Sequence, residues 1–203
     1  MEEGTTVRFL IKEVIEKFNL KLDPQIEVTA KGDYIAKVSF DGSKIIILQD
    51  FIKLVSKGII GREEAKVILA HELGHMIHDW TRMYSLRIII IPLIISFFAH
   101  IIINNVLTVL IICFLGMYLA REMMLLNEIL ADMFVISCYG CQSLFRARKS
   151  VREKVLREKR KKVKVKSIII LKLYKLIKTL FYPSEKERHR ILRKYCNNFK
   201  DKV

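Results

Sequence analysis

From Ile88 to Ala120 the sequence carries no aspartate, glutamate, lysine or arginine, and its polar interruptions are few: Ser96, His100, Asn104, Asn105 and Thr108. Such a run excludes an ordinary water-facing surface segment. The opening residues Met1-Glu2-Glu3-Gly4 lack a basic n-region and an apolar h-region, so no cleavable signal peptide is expected. The four cysteines, Cys113, Cys138, Cys141 and Cys196, are too few for a disulfide framework in a chain of this size. All four are expected as reduced thiols. Cys138-Tyr139-Gly140-Cys141 has the spacing of a metal-binding pair, but no second pair or nearby histidine completes a site. Acidic residues are also scarce, 21 against 36 lysines and arginines, which leaves a net charge of +15. No nucleic-acid-binding motif accompanies that excess. With 52% hydrophobic residues and a mean hydropathy of +0.25, the basic surplus points to a membrane protein with cationic flanks and to no nucleic-acid partner.

What is present centres on His71-Glu72-Leu73-Gly74-His75. The run Glu63 to Ala70 ahead of it contains no proline and is apolar at 65, 67, 68, 69 and 70, so the motif is predicted to lie on a helix. Residues four apart share one helical face, which makes the two imidazoles converge on a single point. That pair suits a tetrahedral zinc ion, one per chain, with His71 and His75 as ligands. Glu72 would stand beside the ion, where a carboxylate can take the proton of the attacking water.

At 203 residues the chain can build one modest domain with an appendage, and hardly two full domains. Val7, Leu10, Ile11, Val14, Ile15 and Phe18 recur at helical spacing within 5–20. Two strands are predicted over 25–31 and 34–40, with Lys31-Gly32-Asp33 as the turn between them, and Asp41-Gly42-Ser43 leads into Ile45-Ile46-Ile47-Leu48. An antiparallel meander, a helix over 50–57 closed by Gly58, and then the motif helix make a small α+β unit. The uncharged run is best read as an inserted transmembrane helical hairpin over 86–120, turning at Asn104-Asn105 and kinked at Pro92. A single long tilted span and a buried core helix are the alternatives. Residues 146–166 hold twelve lysines or arginines against two glutamates, as a solvated helix or as a strip facing anionic lipid. Residues 167–181 follow as an amphipathic helix, so 146–181 reads as one basic and amphipathic segment of a single domain spanning 1–203.

A third zinc ligand has a place to come from. Sites of the thermolysin type take a glutamate from a second helix, and a carboxylate one turn later orients a ligating histidine. Asn127-Glu128-Ile129-Leu130-Ala131-Asp132 has that spacing, with Glu128 as ligand and Asp132 one turn on.

Three segments together resemble the membrane-integrated zinc metalloproteases related to HtpX and the CAAX prenyl endopeptidases: Ala70-His71-Glu72-Leu73-Gly74-His75, the E-x-x-A-D of Glu128 to Asp132, and Tyr182-Pro183-Ser184-Glu185-Lys186-Glu187-Arg188. The resemblance covers roughly residues 20 to 195. It implies a mainly helical, zincin-like α+β domain of the gluzincin type. It also implies a zinc endopeptidase that acts on protein or peptide substrates at a lipid membrane. Glu72 would be the base, and Arg188, Tyr182 or His189 would stabilise the negative charge on the carbonyl oxygen. A substrate strand would add to a sheet edge at Ile45–Leu48; a buried core strand is the equal alternative for those residues, and the two readings are compatible. The chain departs from the family in having no membrane helix ahead of the motif, in Tyr182 where the family has histidine, and in His189 one place after Arg188. Basic residues on both sides of the hairpin place its ends and the active site on the cytoplasmic side of a multi-pass cell-membrane protein. The competing reading is a non-proteolytic membrane adaptor with a structural zinc site, which would have no need of Glu72.

Overall fold

Val7, Leu10, Ile11 and Val14 form the buried stripe of the first helix, α1 (Glu3–Lys17), which stops where Asn19 turns to a φ of 49°. In the computed structural model the described residues are 3–30, 32, 34–39, 41–78, 91, 94–95, 97–98, 106–162 and 184–200. Among them the chain continues through β1 (Gln25–Thr29), β2 (Ala36–Val38), β3 (Lys44–Leu48), α2 (Gln49–Ser56) and α3 (Arg62–Ile77). It then forms α4 (Val106–Tyr139), α5 (Cys141–Lys162) and α6 (Glu185–Lys200). They fall into two compact units, Met1–Ile77 with Leu130–Lys164, and His78–Ile129 with Val165–Val203. The division passes through α4, between Ile129 and Leu130.

In the first unit the sheet order is β1-β3-β2. β3 runs parallel to β1, Ile26 opposite Ile45 and Val28 opposite Ile47, and antiparallel to β2, Ala36 opposite Ile47 and Val38 opposite Ile45. The sheet is therefore mixed, and the antiparallel meander expected from the sequence is corrected: β1 and β2 do not pair. The most apolar strand takes the centre, where Ile45, Ile47 and Leu48 are at most 1% exposed, because a central strand is covered on both edges. The expectation that Ile45–Leu48 is a sheet edge fails for the same reason, and its core alternative holds. The β2–β3 turn does form as expected. Asp41 accepts bonds from Ser39 Oγ (2.5 Å), Ser43 Oγ (2.7 Å) and the Ser43 N–H (3.2 Å), and Gly42 supplies a φ of 74°.

Helix α2 buries Phe51, Ile52, Leu54 and Val55 and ends where Gly58, at φ 69°, sends its N–H to the Val55 carbonyl. Helix α3 is buried on nearly every side, and α1, β2 and α5 all pack against it. Each large apolar side chain removed from water there contributes about 1.5–3 kcal/mol before chain entropy is counted. Gly140, at φ 80°, separates α4 from α5, so the C-x-x-C spacing belongs to a helix joint. Cys113 and Cys138 are outside any disulfide, whereas Cys141 and Cys196 are disulfide-bonded, which corrects the expectation of four reduced cysteines.

In the second unit α4 and α6 are joined by ion pairs of Arg121 with Glu187 and of Arg188 with Glu128, and each helix carries a buried leucine, Leu125 and Leu192. The start of α4 exposes Val106, Leu107, Leu110, Ile111, Phe114, Leu115, Tyr118 and Leu119. One described helix segment, Leu110–Tyr139, is long and apolar enough to cross a membrane, with a mean hydropathy of 1.5. It also contains Arg121, Glu122, Glu128 and Asp132, and the uncharged part, Val106–Ala120, is only about 22 Å long against about 30 Å of hydrocarbon. The residues on both sides of Ala120, where the expected hairpin ends, lie on one unbroken helix of 34 residues that also carries Glu128. Most of the first arm, the Asn104-Asn105 turn and the amphipathic stretch 167–181 lie outside the described residues.

Candidate metal centre

Helix α3 carries His71 and His75 one turn apart, and their rings meet edge to face with centroids 4.6 Å apart and planes at 75°. Their Nε2 atoms are 3.2 Å apart. Two nitrogens each about 2.0–2.1 Å from a tetrahedral zinc would stand about 3.3–3.4 Å apart, so the spacing fits a shared ion. The Nδ1 of His71 lies 2.8 Å from Oδ1 of Asp132. In the neutral ring Nδ1–H donates to that carboxylate, which leaves the Nε2 lone pair for a metal. Asp132 is completely buried.

Glu128 stands one turn before Asp132 on the unbroken α4, which carries both on the same helical face. His71, His75 and Glu128 each offer one ligand atom, and these atoms all lie within 4.8 Å of one another. Two imidazoles and one carboxylate are a donor set suited to zinc, and three protein ligands leave a fourth position open. Glu72, next to His71, is 7% exposed and so is held inside the protein. Arg188 binds Oε2 of Glu128 through Nη1, so the structure brings this sequence-predicted residue to a sequence-predicted ligand. His189 follows it on α6, and Tyr182 lies outside the described residues.

The approach of α3 to α4 depends on Gly74. A Cβ added there would lie 2.9 Å from Cα and 3.0 Å from the carbonyl oxygen of Ala131. Glycine costs about 1 kcal/mol inside a helix, and here the cost has a purpose: no side chain fits between the helices.

One residue of the site was not anticipated. Arg148 donates from Nη1 to Oδ2 of Asp132 at 2.7 Å and from Nη2 to Oδ1, and its side chain is 11% exposed. The sequence places it in a run of basic residues that reads as solvated. The missed signal was register: Leu144, Ala147, Val151 and Val155 are the buried stripe of α5, and Arg148 lies one turn from both Leu144 and Val151.

Two turns along α5 from the Leu144–Arg148 stretch, Lys154 binds Glu64 of α3 at 2.8 Å. Burial pushes the Glu64 carboxyl up. Hydrogen bonds from Lys154, Ser150 and the Gly61 N–H, with the Lys154 charge, outweigh it and hold the group below the usual glutamate range. This pair fixes α5 on α3, and with it the position of Arg148.

Compared with known proteins, residues 2–152 match the family model described as peptidase family M48. That match takes in α1 through most of α5, including both histidines, Glu128, Asp132 and Arg148. No curated protein and no solved structure matches the chain.

Proposed function

The chain belongs to peptidase family M48, and on that premise we propose that it is a membrane-associated, zinc-dependent endopeptidase of the gluzincin type. His71, His75 and Glu128 would hold one zinc per chain. Bound there, zinc would supply the Lewis acidity that polarises the scissile carbonyl and makes water acidic enough to attack. Glu72 takes the proton of that water and passes it to the leaving amine nitrogen, a transfer that needs a carboxylate next to the metal ligands but not among them. Asp132 holds His71 in the tautomer that keeps Nε2 free. Arg188, at Glu128, is the cation for the developing oxyanion, with His189 and Tyr182 as further donors. With β3 in the centre of the sheet, an extended peptide would pair with the outer edge of β2, the strand packed against α3.

The uncharged run and its basic flanks support a membrane hairpin over 86–120 with both ends cytoplasmic. On that reading the enzyme would be a multi-pass protein of the cell membrane with its active site in the cytoplasm. The observation that carries the reading is the geometry at His71: Nε2 is 3.2 Å from the Nε2 of His75, while Nδ1 is tied to Asp132 at 2.8 Å. The test is Glu72→Gln in detergent-purified protein, with metal content and cleavage of an unfolded protein substrate measured together. Zinc should stay near one per chain while cleavage falls by about 10²-fold or more. Undiminished cleavage would remove Glu72 as the base, and wild type without bound zinc would remove the metal reading.

A further inference from the structure

The Arg148 side chain is only 11% exposed, whereas Arg146, Lys149 and Arg152 on the same helix are exposed. We propose that Arg148 is a positioning residue of the metal centre, fixing the Asp132 carboxylate so that Oδ1 faces His71 Nδ1 and Nε2 is kept for the metal. A carboxylate held by one imidazole can still rotate about its last side-chain bond. The guanidinium removes that freedom because its planar fork engages both oxygens, Nη1 on Oδ2 at 2.7 Å and Nη2 on Oδ1. Nη2 lies 3.3 Å from His71 Nδ1. With the proton on Nδ1 both nitrogens are donors, and this is then the separation of two groups sharing Oδ1 as acceptor rather than a bond between them.

The burial makes the pairing necessary as well as precise. Asp132 is fully enclosed, and an enclosed carboxylate needs a compensating charge. Arg148 itself cannot drift, because Leu144, Ala147 and Val151 beside it are at most 2% exposed. A lysine at 148 would keep the charge but offer a point donor in place of the fork.

The inference rests on the zinc reading, but its first test needs no metal. Nitrogen NMR of histidine-labelled, metal-free wild type should show the His71 proton on Nδ1. A proton on Nε2 would overturn the proposal. In Arg148→Lys the His71 signal should become a mixture of tautomers. Zinc affinity, measured against a competing chelator, should fall about 10- to 100-fold, and the visible spectrum of the cobalt-loaded protein should shift. Unchanged tautomer, affinity and spectrum would show that charge alone suffices and would overturn the positioning role. If Arg148→Lys does not fold, Arg148→Gln with Asp132→Asn replaces the buried pair by a neutral one, and the same three measurements decide. Wild type that binds no zinc but carries the Nδ1 proton would sink the metal reading and leave the positioning role standing.

Discussion

At the scale of single residues, the site combines groups that each do one thing. Glu128 is the proposed ligand most easily separated from the rest, because Glu128→Gln keeps its shape and removes its charge. Zinc affinity should drop by about 10-fold or more, measured by chelator competition, since a neutral amide is a poorer zinc donor than a carboxylate. Retained affinity would reject Glu128 as a ligand. Gly74→Ala tests the helix approach. The new methyl would press on the Ala131 backbone at 2.9–3.0 Å, and backbone cannot step aside as a flexible side chain can. Destabilisation of about 1–3 kcal/mol is expected from overpacking, read as a lower denaturant midpoint, together with weaker zinc binding as α3 and α4 are forced apart. A fully stable Gly74→Ala protein with normal zinc affinity would show that the contact yields.

At the scale of elements, ion pairs tie the helices around the sheet. Burial raises Glu13, but Lys66 and Arg62 outweigh it and leave its carboxyl low. Glu64 is likewise held low. Lys66 is raised by its hydrogen bond to Glu63, with burial opposing and Glu13 adding to the rise. The signs set the pH window. The two depressed carboxylates contribute stability above their ordinary value of 4.5 and lose it as the pH falls through their folded values. The raised lysine contributes below its ordinary 10.5 and loses it as the pH climbs through its folded value. Thermal melts followed by circular dichroism should therefore show a plateau between these limits and a falling Tm below about pH 4.5. Glu64→Gln should flatten the acid limb, because it removes one of the groups that must take up a proton. An acid limb of unchanged slope would show that Glu64 does not contribute to it.

At the scale of the whole molecule, the question is where the site works relative to a lipid bilayer. Exposed apolar residues on the first half of α4 and the absence of charge from Ile88 to Ala120 make water a poor solvent for this part of the chain. The proposed hairpin is tested by labelling intact cells with an impermeant thiol reagent. Cys113 and Cys138, which are outside any disulfide, are first replaced and the bonded cysteines left in place. A cysteine at Asn105 should react from outside, while one at the exposed Lys149 should react only after lysis. Reaction at 149 with protection at 105 would reverse the orientation. Protection of both until lysis would favour a re-entrant or peripheral hydrophobic segment.

The sequence alone determined what depends on near neighbours along the chain. The histidines of α3 converge because they are four residues apart on a helix. The Glu128–Asp132 spacing marks the second helix by the same geometry, and Gly58 ends α2 because a left-handed residue there costs glycine little. Only the tertiary structure decided what depends on distant partners. β3 took the centre of the sheet because pairing across long loops is settled by burial, which no alternation within one strand reveals. Gly74 has its meaning from Ala131, a residue far away in sequence. Arg148 is indistinguishable by composition from the other cations of its run, and it becomes part of the site because α5 turns that one position toward a buried carboxylate.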